Sequence, residues 1–127
     1  MSKVYPCLFS KFDYFETFAK TYLGKYSDSI TDARGFYRTW GTYTDELAWC
    51  AAWLYKVTGE QTYFDEAVSH ASSLGDPQEF SWEDKAAGAF LLLAEAGHSD
   101  SITKLNTFVD RWVSGSCCTI SPKGLYW

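Results

Sequence analysis

The 127-residue sequence lacks the features that mark several broad classes of protein. It has no cluster of basic residues, and 11 Lys and Arg against 16 Asp and Glu give a net charge of -5. This charge argues against nucleic-acid and anionic-membrane partners, since both attract positively charged surfaces. No G-x-S-x-G, P-loop or dinucleotide-binding motif occurs, so those enzyme classes find no support.

Long apolar runs are also missing. The longest, residues 86–94, contains Gly88 and is far shorter than the roughly 20 residues of a membrane-spanning helix. The first residues, Met-Ser-Lys-Val-Tyr-Pro, lack the apolar core of a signal peptide. We therefore predict no membrane partner, and a secreted parent protein would need a targeting segment that this chain does not show.

The cysteines form no recognisable metal or disulfide framework. Cys7, Cys50, Cys117 and Cys118 include no C-x-x-C pair, and their spacing fits no small disulfide-stapled scaffold. Cys50 lies among apolar residues of a predicted helix, so we expect it in the core. The cysteine count leaves the redox compartment open.

What the sequence does contain is helical periodicity and many aromatic rings. Apolar residues at three- and four-residue steps predict an all-α fold with helices at about 10–23, 43–58, 62–73, 83–96 and 100–114. Six Trp, nine Tyr and nine Phe make up 19% of the chain, so either the core is unusually aromatic or some rings face a ligand. Residues 25–42 are predicted as a long loop that carries several of these rings.

The last four predicted helices repeat at an offset of 38 residues. The offset aligns Asp45 with Glu83, Leu54 with Leu92, and Gly59 with Gly97. Helix hairpins of this length stack side by side, each covering the apolar face of the next. We predict a curved array with the first helix of each pair inside, and uncovered faces on the outermost helices that favour self-association.

Two acidic residues open each inner helix, and the array places their helix starts at one rim. Asp45, Glu46, Glu83 and Asp84 are therefore expected to converge. Converging oxygen ligands suit calcium. Acids in a first helical turn also simply complement the helix dipole, and the spacing alone leaves both interpretations open.

The rings of the 25–42 loop also have two interpretations. Tyr37 and Trp40 lie three residues apart in a loop that enters the same rim. Flat aromatic rings stack on the faces of sugars, but they also anchor loops to a core. Paired carboxylates invite a glycosidase interpretation, although capping and metal binding explain each pair equally well. We expect Trp49 and Trp53, four apart on one helix, to serve helix packing.

Several separate motifs resemble glycoside hydrolase family 9, in the order in which they occur along the chain. They are residues 24–30 (Gly-Lys-Tyr-Ser-Asp-Ser-Ile), Phe36 with Tyr37 and Trp40, residues 43–59 (Tyr-Thr-Asp-Glu-Leu through Val-Thr-Gly), residues 80–88 (Phe-Ser-Trp-Glu-Asp-Lys-Ala-Ala-Gly), residues 91–94 (Leu-Leu-Leu-Ala) and residues 121–125 (Ser-Pro-Lys-Gly-Leu). The resemblance runs from about residue 12 to the end. The sequence is identified as a member of this family.

The resemblance implies an inverting endo-1,4-β-glucanase, a cellulase secreted by its organism and built as an (α/α)6 barrel of six helix hairpins. Residues 1–127 would be a single partial domain, the middle portion of that catalytic barrel. The family's catalytic Asp-Ala-Gly-Asp and Asn-Glu motifs do not occur in this chain. We therefore predict no catalytic residue here, and an isolated chain that is inactive.

The resemblance also implies which site residues the chain retains. Tyr37 and Trp40 would form part of the floor that binds a β-1,4-glucan. A structural calcium site beside them would use the residues Gly41, Thr42, Asp45, Glu46 and Glu83. Glu83 stands where many members have Asp, and Gln78 where some bacterial members have a cleft Trp. The alternative function is a non-catalytic helical module, derived from the same fold, that binds carbohydrate or a partner protein.

Overall fold

A computed structural model describes residue 14 and residues 17–115, and every regular element within them is helical. Residue 14 and residues 17–21 form the described part of helix α1. The other elements are α2 (Tyr26–Ser29), a 3-10 helix (Thr31–Gly35), α3 (Thr44–Thr58), α4 (Gln61–Ala71), α5 (Ala86–Glu95) and α6 (Ser99–Val113). The predicted all-α class is confirmed. The beginning of the predicted first helix, and Cys7, Cys117 and Cys118, lie outside the described residues.

The four long helices form two hairpins, α3 with α4 and α5 with α6. Each first helix is followed by a glycine with a positive φ, 74° at Gly59 and 89° at Gly97. Glycine adopts this left-handed conformation without the steric cost that a Cβ brings, and so it ends a helix and turns the chain. The two glycines are equivalent in the 38-residue repeat, which explains why the sequence pattern and the hairpins coincide.

The core lies between the inner helices α3 and α5, as the repeat predicts. It contains small residues that let the helices approach closely, among them Ala48 and Ala89, which are fully buried. Phe90 and Leu93 of α5 fill the remaining volume and are also fully buried. From α4, Ala67 completes the contact with α3 and α5. Burying these side chains is the main stabilising contribution of the fold.

Helix α5 begins at Ala86, three residues later than predicted. The side chains before it bond to backbone N–H groups and hold the segment out of the helix. The Ser81 hydroxyl accepts from the amides of Glu83 and Asp84, at 3.2 and 3.3 Å, and an Asp84 oxygen accepts from the amide of Ala86 at 2.8 Å. These side chains offer the backbone an alternative to the first helical turn.

Two other expectations were wrong in detail. Cys50 is exposed and borders a small cavity with residues of α1 and α4, among them Lys20 and His70. The predicted loop at 25–42 contains the short helix α2 and the 3-10 helix. Ser and Asp in that stretch do not follow an apolar period, so periodicity could not detect helices this short.

Apolar faces remain uncovered in the described part of the chain. Exposed fractions are 44% for Trp53 on α3, 48% for Leu91 on α5 and 46% for Val109 on α6. The expected packing role of Trp53 is therefore weak, although Trp49 packs against the core. In the same part of the chain, every helix is too short or too polar to cross a bilayer.

Candidate functional site

The site is built on the segment between the 3-10 helix and α3. Its base is held by Ser27, whose buried hydroxyl accepts from the amide of Thr39 at 3.4 Å. Arg34 donates to the carbonyl of Ser27 at 3.2 Å and to a carboxylate oxygen of Asp28 at 3.0 Å. Residues 36–43, between the 3-10 helix and α3, carry Phe36, Tyr37 and Trp40 and are called the aromatic loop. The two short helices thus fix the position at which this loop begins.

The aromatic loop presents its rings to solvent. Tyr37 is 59% exposed and Trp40 is 73% exposed, so neither ring anchors the loop in the core. The ring of Trp82 packs edge-on against Tyr37 at a centroid distance of 5.7 Å. The guanidinium of Arg38 lies 4.6 Å from the centre of the Trp40 ring, which is a cation–π contact. The rings form a supported, exposed surface.

Glu83 connects this loop to the segment before α5. Its Oε1 atom accepts from the amide of Trp40 at 2.6 Å and from the amide of Gly41 at 2.9 Å. Two successive N–H groups converging on one carboxylate oxygen form a small anion-binding nest. Bonds to an ionised acceptor are stronger than bonds between neutral groups.

The two acids that open α3 lie together at the same rim. Asp45 is buried, and its Oδ2 atom accepts from the amide of Lys85 at 2.7 Å. Burial, with the neighbouring Asp45 carboxylate, raises the pKa of Glu46 to about 7. The Oε2 atom of Glu46 is buried and has no hydrogen-bond partner. A pair of close carboxylates disfavours double ionisation unless a proton or a cation intervenes.

Asp84, the fourth acid of the predicted cluster, accepts a hydrogen bond from the amide of Ala86, the first residue of α5. Burial raises its pKa, while the hydrogen bond from the amide of Ala86 acts in the opposite direction. Its charge also interacts with that of Asp45, which places both acids at one end of the hairpins. Asp45 is therefore close to both Glu46 and Asp84, whereas Glu83 bonds to the aromatic loop, and each carboxylate has a different set of contacts.

An open cleft of about 410 Å³ runs along this rim. It contains most of the predicted site residues, and its lining adds Asp76 and Glu79, which the sequence did not single out, beside Gln78. The lining residues are Trp40, Gly41, Thr42, Asp45, Leu74, Gly75, Asp76, Pro77, Gln78, Glu79, Glu83, Asp84 and Ala86. Tyr37 and Glu46 lie outside this lining. Among residues 14 and 17–115, no three Asp, Glu, His or Cys side chains are arranged to hold a metal ion.

Comparison with known proteins shows what this arrangement belongs to. Residues 13–127 match the sequence profile described as Glycosyl hydrolase family 9. The chain belongs to glycosyl hydrolase family 9. Among individual family members, Endoglucanase B of Cellulomonas fimi is 38% identical over 121 residues, which are 85% of this chain and 12% of that protein. An endoglucanase of Dictyostelium discoideum is 38% identical over 117 residues, 87% of this chain and 17% of that protein.

A solved family 9 structure shows the same fold. The endoglucanase of the termite Nasutitermes takasagoensis superposes with a TM-score of 0.75 at 36% identity, over 88% of this chain and 26% of that chain. The helix hairpins described above are thus a part of the family 9 (α/α)6 barrel, as predicted. This chain spans about a quarter of that solved endoglucanase and less of the two relatives named above.

The contacts that Trp82 and Glu83 make with the aromatic loop were not predicted from the sequence. The family resemblance includes Trp82 in a motif, and the sequence gives Glu83 two interpretations, a calcium ligand and an acid that complements the helix dipole. Trp82 is 45 positions from Tyr37 along the chain and Glu83 is 43 positions from Trp40, and periodicity within one helix carries no information about such contacts. The 38-residue offset is one sequence signal for the Glu83 contact, because it places Glu83 at the rim where the aromatic loop leads into α3.

Proposed function

We propose that this chain is a section of an endo-1,4-β-glucanase that hydrolyses cellulose-type β-1,4-glucans with inversion. In this proposal the chain supplies part of the substrate cleft and lacks the catalytic carboxylates. The observation that carries the proposal is the exposed Trp40 ring on the wall of an open cleft, in a family 9 fold. An exposed indole in a cleft that also holds several polar side chains is suited to the apolar face of a pyranose ring.

Three polar side chains that line the same cleft favour a sugar ligand. They are Asp76, Gln78 and Glu79, and all three are exposed. Carboxylate and amide groups pair with the hydroxyls on the edge of a sugar ring, while the indole contacts its face. The guanidinium of Arg38 lies over the Trp40 ring, and this cation–π contact favours one orientation of the ring.

A binding experiment with Trp40→Ala tests the sugar surface. We expect the variant to bind cellohexaose roughly 3-fold to 10-fold more weakly than the unmodified chain, because an aromatic contact is worth about 0.5–1.5 kcal/mol. Isothermal titration calorimetry measures the affinity. Trp53→Ala, which removes another exposed Trp outside the cleft, is the matched control and should leave the affinity unchanged.

The same titration distinguishes the proposed function from the alternative, a non-catalytic carbohydrate-binding module. Such a module would bind the oligosaccharide tightly as an isolated chain, without further segments of the barrel. Equal affinity for Trp40→Ala and the unmodified chain would contradict the sugar surface in both cases.

Calcium at the rim is the second part of the proposal. Two observations favour a cation here, because the Oε2 atom of Glu46 is buried without a hydrogen-bond partner and the Asp45 carboxylate is close to it. The described residues bring no third such ligand into a metal-binding arrangement, so calcium would have to draw Glu83 toward this pair. The proposed ligands are the side chains of Asp45, Glu46 and Glu83 and the backbone carbonyls of Gly41 and Thr42. Glu83 fits less well, because its Oε1 atom already accepts two amide hydrogens. Calcium, when bound, would stabilise the fold and take no part in bond cleavage.

A thermal-shift experiment tests the calcium site. Calcium at about 100 times its Kd stabilises a folded chain by about 2.7 kcal/mol, so we expect Tm to rise by several degrees. Asp45→Ala and Glu46→Gln should abolish the shift, whereas Asp110→Asn, an exposed acid on α6, should keep it. A Tm that does not respond to millimolar calcium would leave only the helix-dipole role for these acids.

The remaining expectations concern the parent protein. We propose that it acts outside the cell, because a polymeric glucan is too large to cross a membrane. The uncovered apolar faces of α3, α5 and α6 support the proposal that this chain associates with further apolar helices, or with itself when alone.

A further inference from the structure

The segment at residues 81–83 contacts the aromatic loop at two points. The Trp82 ring supports Tyr37 from its edge, and the Oε1 atom of Glu83 accepts from the amides of Trp40 and Gly41. One contact is made to the ring of Tyr37 and the other to the backbone at Trp40 and Gly41, so together they reach both ends of residues 37–41.

The 81–83 segment is itself held firmly. The amide of Ser81 donates to the carbonyl of Asp84 at 3.0 Å, and the Ser81 hydroxyl accepts from the amides of Glu83 and Asp84. The amide of Lys85 donates to Asp45 of α3 at 2.7 Å, which ties the segment to the inner helix. A loop that rests on such a support is ordered before a ligand binds, and the ligand then loses less free energy in ordering it.

We propose that Trp82 and Glu83 are positioning residues for the sugar-binding surface, and that they hold the rings of Tyr37 and Trp40 in their exposed orientation. The inference rests on the proposed function, in which those rings contact a β-1,4-glucan. It adds a second role for Glu83, in which the carboxylate acts on the loop backbone through hydrogen bonds. This role does not require calcium, because the amides of Trp40 and Gly41 bond to the Oε1 atom alone.

Amide hydrogen exchange of the full 127-residue chain, in EDTA, tests the support directly. Glu83→Ala removes the acceptor and should speed exchange at Trp40 and Gly41 roughly 10-fold or more, since bonds to charged groups are among the stronger ones. Exchange within α3 and α5 should stay unchanged. Glu83→Gln keeps an oxygen acceptor without the charge and should give an intermediate rate. Glu60→Gln makes the same chemical change at an exposed acid next to α4 and should have no effect at Trp40.

Cellohexaose affinity is the second measurement. We expect Glu83→Ala and Trp82→Ala to weaken binding roughly 3-fold to 10-fold with little change in Tm, and Trp82→Phe to restore most of the loss because it keeps a ring edge against Tyr37. A purely structural role would lower Tm and leave the affinity of the folded fraction intact.

The two measurements distinguish the possible failures. Unchanged exchange at Trp40 and Gly41 in Glu83→Ala overturns the support, whatever the sugar does. Faster exchange with unchanged affinity shows a held loop whose position is irrelevant to the ligand, and overturns the positioning role while the proposed function stands. An unmodified chain that binds no oligosaccharide overturns the proposed sugar surface, and the positioning role with it, while the exchange rates still report the hydrogen bonds.

Discussion

The purified 127-residue chain is expected to release no reducing sugar from carboxymethylcellulose above a buffer blank. Inversion needs a general acid and a general base on opposite faces of the sugar ring. Each group typically contributes 10²-fold to 10⁴-fold, so losing both lowers the rate by at least about 10⁴-fold. The chain has neither the Asp-Ala-Gly-Asp nor the Asn-Glu motif that the family resemblance assigns to these roles. The termite endoglucanase, assayed in parallel, provides the positive control.

Glu46 is the carboxyl group whose contribution to any residual hydrolysis should be tested in this assay. Its pKa of about 7 is typical of a general acid, but one of its oxygens is buried beside Asp45 and lies outside the cleft lining. If a trace of activity is found, Glu46→Gln decides its origin. Activity that disappears in this variant would contradict the prediction, whereas activity that persists at the same level would point to a contaminating cellulase.

Replacing Phe90 by Ala is expected to destabilise the chain by about 3–5 kcal/mol, the usual cost of removing a fully buried ring. Phe90 is 0% exposed and belongs to the cluster between the inner helices, and the ammonium group of Lys104 on α6 lies 4.9 Å from the centre of its ring. Domains of this size have about 5–15 kcal/mol of stability in total, so a large share of it would be lost. Urea unfolding followed by circular dichroism measures the change.

Leu91→Ala provides the matched control for this substitution. The residue is the next one in α5, but it is 48% exposed, so its truncation should cost less than about 1 kcal/mol. Equal destabilisation by the two variants would show that α5 does not bury the face described here. A second copy covering Leu91 would have the same effect, and analytical ultracentrifugation of both variants would detect it.

The positions of the long helices could be predicted from the sequence with small errors. The residues of α3 were expected at 43–58 and found at Thr44–Thr58, because its apolar period, its acidic first turn and Gly59 all mark the same boundaries. The start of α5 was predicted three residues too early. There the side chains of Ser81 and Asp84 compete for the backbone amides, and a pattern of apolar positions does not register that competition.

The candidate site was predictable as a set of residues but not as a set of contacts. The rings of Tyr37 and Trp40 and the acids near the helix starts could be named from motifs and from the repeat. That Glu83 accepts from the amides of Trp40 and Gly41, and that Trp82 supports Tyr37, depends on how the aromatic loop folds back onto the next hairpin. Cys50 was placed in the core because its neighbours are apolar, yet it lies on an exposed part of α3.

The sequence by itself determined the all-helical class, the hairpin repeat and the family, because each of these is recorded in spacings of a few residues or in contiguous motifs. Only the tertiary structure decided which face of each helix is covered and which partner each rim carboxylate takes. Those outcomes depend on contacts between residues about 40 positions apart, such as Asp45 with Lys85. Their geometry is set by the packing of α3 against α5, where small residues such as Ala48 and Ala89 fix how closely the two helices approach.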